Sequence, residues 1–320
     1  MYKVIIIGAG QLGSRHLQGA LQSKYPLEIH VVDPSEHSLE VAKLRAEEIT
    51  VASKTTSVRY DQQIPSGHHF DICIVATSAS VRAMVTEQLL ERNTLDNIIF
   101  EKVLFQTIPE YENTQKLLKE RGVRAWVNCP RRLYPTYVKL KQVLEGGERI
   151  EMSVSGSSWG MACNSIHFID LFAFLVGSSK AEVTHNCLHE QLVESKRQGF
   201  YELNGRATFK IAQNNLYLEC SKDETVAIQV RIKTESNTIV IDEIAGTISH
   251  DFDAASFPRK HSPLYQSQLT GLNIDELIST SNLSLTPFED SCALHLPMLN
   301  LYMSHISKQL GKELSACPIT

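Results

Sequence analysis

Three stretches of this chain have the residue types and spacing to do chemistry. The first is Gly8-Ala9-Gly10-Gln11-Leu12-Gly13, which follows an apolar run directly and opens a helix-like stretch. A tight turn at Gly8, bare backbone at Gly10 and close helix packing at Gly13 would lay a diphosphate against the amides of a helix N-terminus. Asp33 ends the second apolar run. A carboxylate there accepts hydrogen bonds from both hydroxyls of a ribose and repels a 2′-phosphate, which favours NAD over NADP. The bland alternative is a glycine turn with a solvated aspartate. The strand before and the helix after favour the dinucleotide.

The second and third stretches supply what a nicotinamide ring needs beside it. Hydride exchange at a carbinol or carbonyl carbon requires a proton to be taken or given at oxygen, and a fixed cation lowers the cost of charge there. Lys102 lies just past the fourth apolar strand, at the sheet edge where doubly wound folds bind ligands. It is a candidate donor to a substrate oxygen. The alternative is a surface lysine partnered by Glu101. His167 is the candidate acid/base, because an imidazole with an unperturbed pKa of about 6.5 trades protons near neutrality. On a helix, Asn164 and Cys163 lie one turn back on its face. A neutral thiol at 163 cannot favour the imidazolium as a carboxylate would, so Asn164 is left to hydrogen-bond substrate or ring. A core histidine bonded to a backbone carbonyl is the competing reading.

Other residues carry open alternatives. Thr77 and Ser78 either line the nicotinamide-ribose side of the site or cap the following helix, and the two readings are compatible. Arg82 reads as a binder of phosphate or carboxylate or, by preference, as a solvated helix arginine. Arg132 and Tyr134 either reach the substrate or pack. His185 and His189 fall in strand and turn, and His68-His69 lacks paired cysteines or carboxylates in sequence, so no metal set is read.

The elements that must position these residues follow from hydrophobic period. Short apolar runs at Val4–Ile7, Ile29–Val32, Ile72–Ala76, Ile98–Phe100 and Arg124–Val127 alternate with helix-like stretches at 12–22, 38–48, 80–92 and 109–121. That pattern predicts a Rossmann-type doubly wound parallel sheet over residues 1–125. Beyond a helix at 135–145 the pattern changes. Strands alternate near 150–157, 181–188, 200–210, 215–221, 226–232 and 238–242, with Val226, Ile228, Val230 and Ile232 on one face. An apolar helix at 163–176 and a helical tail at 288–310 complete an α+β domain over 126–320 with a largely antiparallel open sheet. The chain is thus α/β in its first domain.

Composition bounds the function. Of 320 residues, 42% are hydrophobic and 21% charged, with 31 basic against 36 acidic and a net charge of -5, so a nucleic-acid-tracking surface is not expected. No apolar run is long enough to span a membrane. The start of the chain is too short and too soon interrupted for a signal peptide. Seven scattered cysteines without a Cys-x-x-Cys pair point to a reducing, cytoplasmic setting.

Gly8-Ala-Gly-Gln-Leu-Gly-Ser-Arg-His16, Val75-Ala-Thr77, Glu101-Lys102, Arg132-Leu-Tyr-Pro135 and His167-Phe-Ile-Asp170-Leu together resemble the glucose–fructose oxidoreductase / inositol dehydrogenase / rhizopine-catabolism (Gfo/Idh/MocA) family. The resemblance spans essentially the whole chain. It implies NAD on the first domain, held by Gly8, Gly10, Gln11, Leu12, Gly13, Asp33, Thr77, Ser78, Glu101 and Lys102. It implies a sugar, cyclitol or nucleotide-sugar substrate, with Lys102 and His167 catalytic; Asn164 joins them by its helix position beside His167. A homodimer or homotetramer is expected on the same ground. Three departures stand out: Val103 replaces the proline of Glu-Lys-Pro, Cys163 replaces the aspartate of Asp-x-x-x-His, and Arg82 sits where relatives carry histidine. A cis peptide before a non-proline residue costs about 2.5–4 kcal/mol, against about 0.5–1 before proline, so Lys102-Val103 is expected trans. The departures keep two alternatives alive: an NAD-binding regulatory protein without turnover, and an NAD-assisted glycosidase.

Overall fold

The computed structural model describes residues 1–53, 56–144, 147–222, 225–251 and 257–320. The chain forms two compact units, Met1–Asn128 with Leu264–Phe288, and Cys129–Pro263 with Glu289–Thr320. The first unit runs β1 (Tyr2–Ile7), α1 (Gln11–Ala20), β2 (Leu27–Val32), α2 (Glu36–Glu47), β3 (Ser57–Asp61), β4 (His69–Val75), α3 (Ala79–Arg92), β5 (Thr94–Phe100), α4 (Ile108–Arg121) and β6 (Arg124–Val127). The second begins with a 3-10 turn (Pro130–Leu133), α5 (Pro135–Val143), β7 (Glu151–Ser157), α6 (Met161–Val176), β8 (Ala181–Leu188), β9 (Val193–Glu194) and β10 (Tyr201–Glu202). It continues through β11 (Gly205–Ile211), β12 (Asn214–Ser221), β13 (Gln229–Lys233), β14 (Thr238–Asp242) and β15 (Thr247–His250). The chain then returns to the first unit with α7 (Gln266–Thr280) and β16 (Thr286–Pro287), and α8 (Phe288–Leu310) closes the second.

The first sheet is ordered β16-β6-β5-β4-β1-β2-β3. Strands β1 to β6 are parallel, and β16 adds antiparallel to β6. Its central strands carry continuous apolar runs because helices cover both faces: Val4, Ile5 and Ile6 are fully buried, as are Ile74, Val75, Ile98 and Phe100. Strand order reverses between β1 and β4, so the carboxyl ends of these two strands form the switch point at which such sheets bind ligands. Helix α4 starts where Thr107 and Glu110 form a reciprocal capping box and stops at Gly122 in the left-handed conformation.

The second sheet is ordered β15-β14-β13-β7-β12-β11-β8, antiparallel except for the β7–β12 pair. Alternate residues are buried: Met152 and Val154 on β7, Ala207, Phe209 and Ile211 on β11, Leu216 and Leu218 on β12, Val230 and Ile232 on β13. Helix α6 is buried along most of its length, including Ile166, Phe168, Ile169 and Phe172.

The structure departs from the sequence reading in several places. A boundary near residue 125 separates the units only as far as residue 263, since segment 264–288 belongs to the first. Helix α7 packs there through His16 Nδ1 with Thr270 Oγ1 at 2.9 Å and Ser23 Oγ donating to Asp275 at 2.6 Å. The expected strand over 226–232 begins only at Gln229. Val226 is exposed, its backbone tied to Ser157 at the end of β7. The stretch 200–210 divides between β10, which pairs with β9, and β11, which joins the large sheet. Helix α5 ends at Val143, and residues 145 and 146 of its expected end lie outside the described residues. None of the seven cysteines is in a disulfide. Among the described residues, no helix is long and apolar enough to cross a membrane.

Candidate active site

The glycine turn is shaped by contact. Gly8 has φ +96°, and a Cβ on it would stand 3.0 Å from the backbone of Ala76 and Thr77. A Cβ on Gly13 would stand 1.7 Å from the Gly8 carbonyl oxygen, so no side chain fits there. Gly10 is the opposite case: a Cβ there meets nothing within 4 Å, and Gly10, Gln11 and Leu12 are exposed. The amides opening α1 therefore sit at an accessible surface, with the dipole of that helix behind them. Asp33 is half-buried at the end of β2. Its Oδ2 accepts from the Ala9 amide and its Oδ1 from the Ser35 amide, each at 2.8 Å, so the carboxylate is fixed against the turn itself. Arg45 of α2, which carries no sequence signal, donates to Ser14 Oγ at 2.6 Å and to Gln11 Oε1 at 2.7 Å. These features fit a dinucleotide.

Two further loops leave the same edge. Ser78 occupies the N-cap position of α3 in extended conformation, but its hydroxyl makes no capping bond and lies 3.2 Å from Ser80 Oγ. Thr77 Oγ1 is buried and has no hydrogen-bond partner among the described residues, a group suited to receive a ligand atom. Arg82 is neither an anion binder at the surface nor a solvated helix arginine. It is 2% exposed and donates to the carbonyls of Thr77, Val103 and Leu104.

Glu101 is buried, and its Oε1 accepts from His16 Nε2 at 2.9 Å and Asn128 Nδ2 at 2.5 Å. The Lys102 amide donates to its Oε2 at 3.3 Å. Burial pushes the Glu101 carboxyl up, but the hydrogen bond and charge of His16, the Asn128 bond and the charge of Arg82 outweigh it and hold the group below the usual carboxylate range. Lys102 itself is half-buried. The Lys102-Val103 peptide is cis, against the expectation of trans. Here the preference of the bare dipeptide is overruled by its surroundings, since Val103 is 1% exposed and its carbonyl is taken by Arg82.

In the second unit, Cys163, Asn164 and His167 are half-buried on a helix whose neighbouring residues Met161, Ala162, Ser165, Ile166 and Phe168 are buried. The helical spacing thus places all three on one face. Asn164 Nδ2 donates to the Trp159 carbonyl at 2.8 Å, and Cys163 Sγ lies 3.5 Å from the Gly160 carbonyl. Glu202, which the sequence did not single out, accepts from the Ala162 amide at 2.9 Å at the start of α6. Asp170 is fully buried and pairs with Arg132 through two bonds of 2.9 and 3.0 Å. Arg132 is thereby a packing residue. Tyr134 stacks on Tyr137, ring centroids 6.4 Å apart.

The sheet register gives His69 the carboxylates its sequence neighbourhood seemed to lack. Ligand-type atoms of His69, Asp71 and Asp96 lie within 4.8 Å of one another. His69 pairs with Asp96 at 3.3 Å, and Asp71 accepts from the Lys3 amide at 2.7 Å. This group sits at the amino ends of β4 and β5, the edge opposite the glycine turn.

The first unit therefore brings Gly8, Gly10, Gln11, Leu12, Gly13, Asp33, Thr77, Ser78 and Lys102 to one sheet edge, with Glu101 beneath. Residues 2–129 match the model of the oxidoreductase family with NAD-binding Rossmann fold, Gfo/Idh/MocA. The first domain is a Gfo/Idh/MocA domain. This family binds NAD and performs oxidation and reduction. A search of the curated proteins finds no match. Among solved structures, the WlbA dehydrogenase from Bordetella pertussis in complex with NADH and UDP-GlcNAcA is similar to this chain. It has 15% identity, covers 96% of both chains and gives a TM-score of 0.70. UDP-N-acetylglucosamine 3-dehydrogenase from Acidithiobacillus ferrooxidans shares 16% identity, covering 94% of this chain and 96% of its own at a TM-score of 0.67. Scyllo-inositol dehydrogenase from Lactobacillus casei, with NAD(H) and scyllo-inositol, shares 14% over 93% and 95% at 0.67. At these identities the likeness is one of fold, and it extends past the Gfo/Idh/MocA domain to the second unit.

Proposed function

We propose that the chain is an NAD-dependent dehydrogenase or reductase acting on a sugar-like carbon, with nucleotide sugars as the preferred class. The observation that carries this is the open backbone at Gly10 sharing a sheet edge with the fixed Asp33 carboxylate and with Lys102. The diphosphate is held by the amides of Gly10, Gln11 and Leu12, the ribose by Asp33, and the nicotinamide side by Thr77 and Ser78. NAD supplies the hydride acceptor and its reduced form the donor. Lys102 presents a cation to the substrate oxygen, lowering the cost of charge as the carbon changes oxidation state. His167 takes or returns the hydroxyl proton, and Asn164 orients ring or substrate through its amide. Three of the similar folds act on or carry UDP sugars or an inositol, which supports this substrate class. Assembly as a homodimer or homotetramer belongs to the same proposal and is read by sedimentation.

The test is to incubate the chain with NAD and a panel of UDP-N-acetylglucosamine, its uronic acid and scyllo-inositol, following reduced-cofactor absorbance. The expected result is NADH formation with at least one member, cut about 10²- to 10⁴-fold by Lys102→Ala or His167→Ala. NAD binding without turnover of any member, with the biological phenotype intact in both variants, would replace this reading with the regulatory one that Cys163 and Val103 motivate.

A further inference from the structure

Arg82 leaves the first half of α3 and turns inward, where it is 2% exposed. Its Nη1 donates to the carbonyls of Val103 and Leu104, the latter at 2.8 Å, and its Nη2 to the carbonyl of Thr77. One guanidinium thus joins the two loops that leave β4 and β5, the first carrying Thr77-Ser78 and the second Lys102. Beyond Leu104 the second loop is fixed by packing, for Val103, Leu104 and Phe105 are buried and the Tyr111 hydroxyl donates to the Phe105 carbonyl at 3.2 Å. Ahead of it, Glu101 is anchored by His16 and Asn128. Lys102 is the half-buried residue between these anchored points.

Desolvating a guanidinium is costly, and filling the same space with an apolar side chain is less so. A planar fork with several donors in fixed directions does what an apolar residue cannot: it sets the relative position of separate carbonyls. Lysine, a compact point charge, cannot span three of them in this way.

We propose that Arg82 is a positioning residue for Lys102, its guanidinium fixing the Lys102–Leu104 backbone against the Thr77 loop so that the ammonium group is held at the nicotinamide side of the site. This rests on the reading of Lys102 given above. It extends that reading by naming the residue that aims the lysine.

The experiment compares wild type, Arg82→Lys and Arg82→His, the last restoring the residue that the resemblance implies for relatives. Acetic anhydride is the probe of Lys102, its labelling quantified by peptide mass spectrometry against Lys3 and Lys43 with and without NADH. Hydrogen exchange is read on the 101–106 segment and on β1 and β4. In wild type, NADH should slow Lys102 labelling while Lys3 and Lys43 are unaffected. In the variants that protection should be lost and exchange over 101–106 should rise about tenfold, with β1 and β4 unchanged. NADH affinity should stay within about threefold, a small change on the scale of one hydrogen bond. Where a substrate turns over, kcat should fall about a hundredfold with little change in KM, and the loss should vanish in a Lys102→Ala background. Retained protection and unchanged exchange in a folded variant overturn the inference. So does loss of NADH binding, which would make Arg82 a cofactor-site residue, or an additive effect on Lys102→Ala. If one variant fails to fold, the other carries the comparison; if both do, Arg82 serves the fold and the inference falls. Absence of NADH protection in wild type is a separate failure: it removes the reading of Lys102, and this inference with it.

Discussion

Glu101 and Glu243 are both carboxylates withdrawn from water, one in each unit, and they are built from different partners. Glu243 receives the Arg131 guanidinium through two bonds of 2.9 and 2.7 Å and the Tyr137 hydroxyl at 2.9 Å. Burial works against its ionisation, but the charge and hydrogen bonds of Arg131, the Tyr137 bond and the charge of His261 hold it below the usual range. Glu101 accepts its side-chain bonds from other kinds of group. It is satisfied by an imidazole and a neutral amide, and its chain neighbour is Lys102. A carboxylate closed on a matched cation ties the segment after β14 to the Pro130–Leu133 turn and to α5, and serves the fold. A carboxylate closed on a histidine and an amide lies directly beside the proposed reaction centre. The difference teaches that buried charge alone does not mark a site; what marks it is the exposed group the buried one supports.

The largest expected effect breaks the Glu243 cluster. Glu243→Gln leaves Arg131 buried without its carboxylate and should cost roughly 3–5 kcal/mol of stability, read as a lowered urea midpoint, with NADH affinity unchanged. Glu101→Gln should cost less stability but should also lower turnover. Equal stability losses with turnover untouched in both would erase the distinction. Both carboxyls ionise below their ordinary 4.5, so each contributes stability that is present above that pH and is lost as pH falls through the lowered folded value. Stability difference between wild type and either glutamine variant should therefore be full at neutrality and shrink below pH 4.5, as acid titrations of unfolding would show.

A middle-sized effect sharpens the comparison at the cofactor end. Asp33→Ser removes a carboxylate whose charged hydrogen bonds are worth about 1.5–3 kcal/mol each, so NAD should weaken roughly tenfold or more relative to NADP. Unchanged discrimination would take Asp33 out of that role. The smallest effect compares two helix starts. Thr107→Ala removes a capping box and should cost about 1 kcal/mol, whereas Ser78→Ala removes a hydroxyl that caps nothing and should cost under about 0.5 kcal/mol. If Ser78→Ala weakens NADH instead, its place in the cofactor site is supported without any part in capping.

Legibility followed the range of the interactions. The glycine turn, Asp33 and the parallel strands could be read because each depends on residues adjacent in sequence and on hydrophobic period. The shared face of Cys163, Asn164 and His167 was legible for the same reason. Arg82 was not, since its acceptors are main-chain carbonyls around residue 103, and carbonyls leave no trace in sequence. Helix α7 went unread although Leu269, Ile274 and Leu277 form its buried stripe; Gly271 and the polar residues between them blur the period. The carboxylates around His69 come from strand register, which a linear reading cannot supply.

The central claim is that a pyridine nucleotide lies on the open turn at Gly10, and calorimetric titration of the whole chain with NADH addresses it directly. Saturable uptake at a single site per chain, weakened in Asp33→Ser, is the predicted result. No saturable heat with either NADH or NAD would contradict the account.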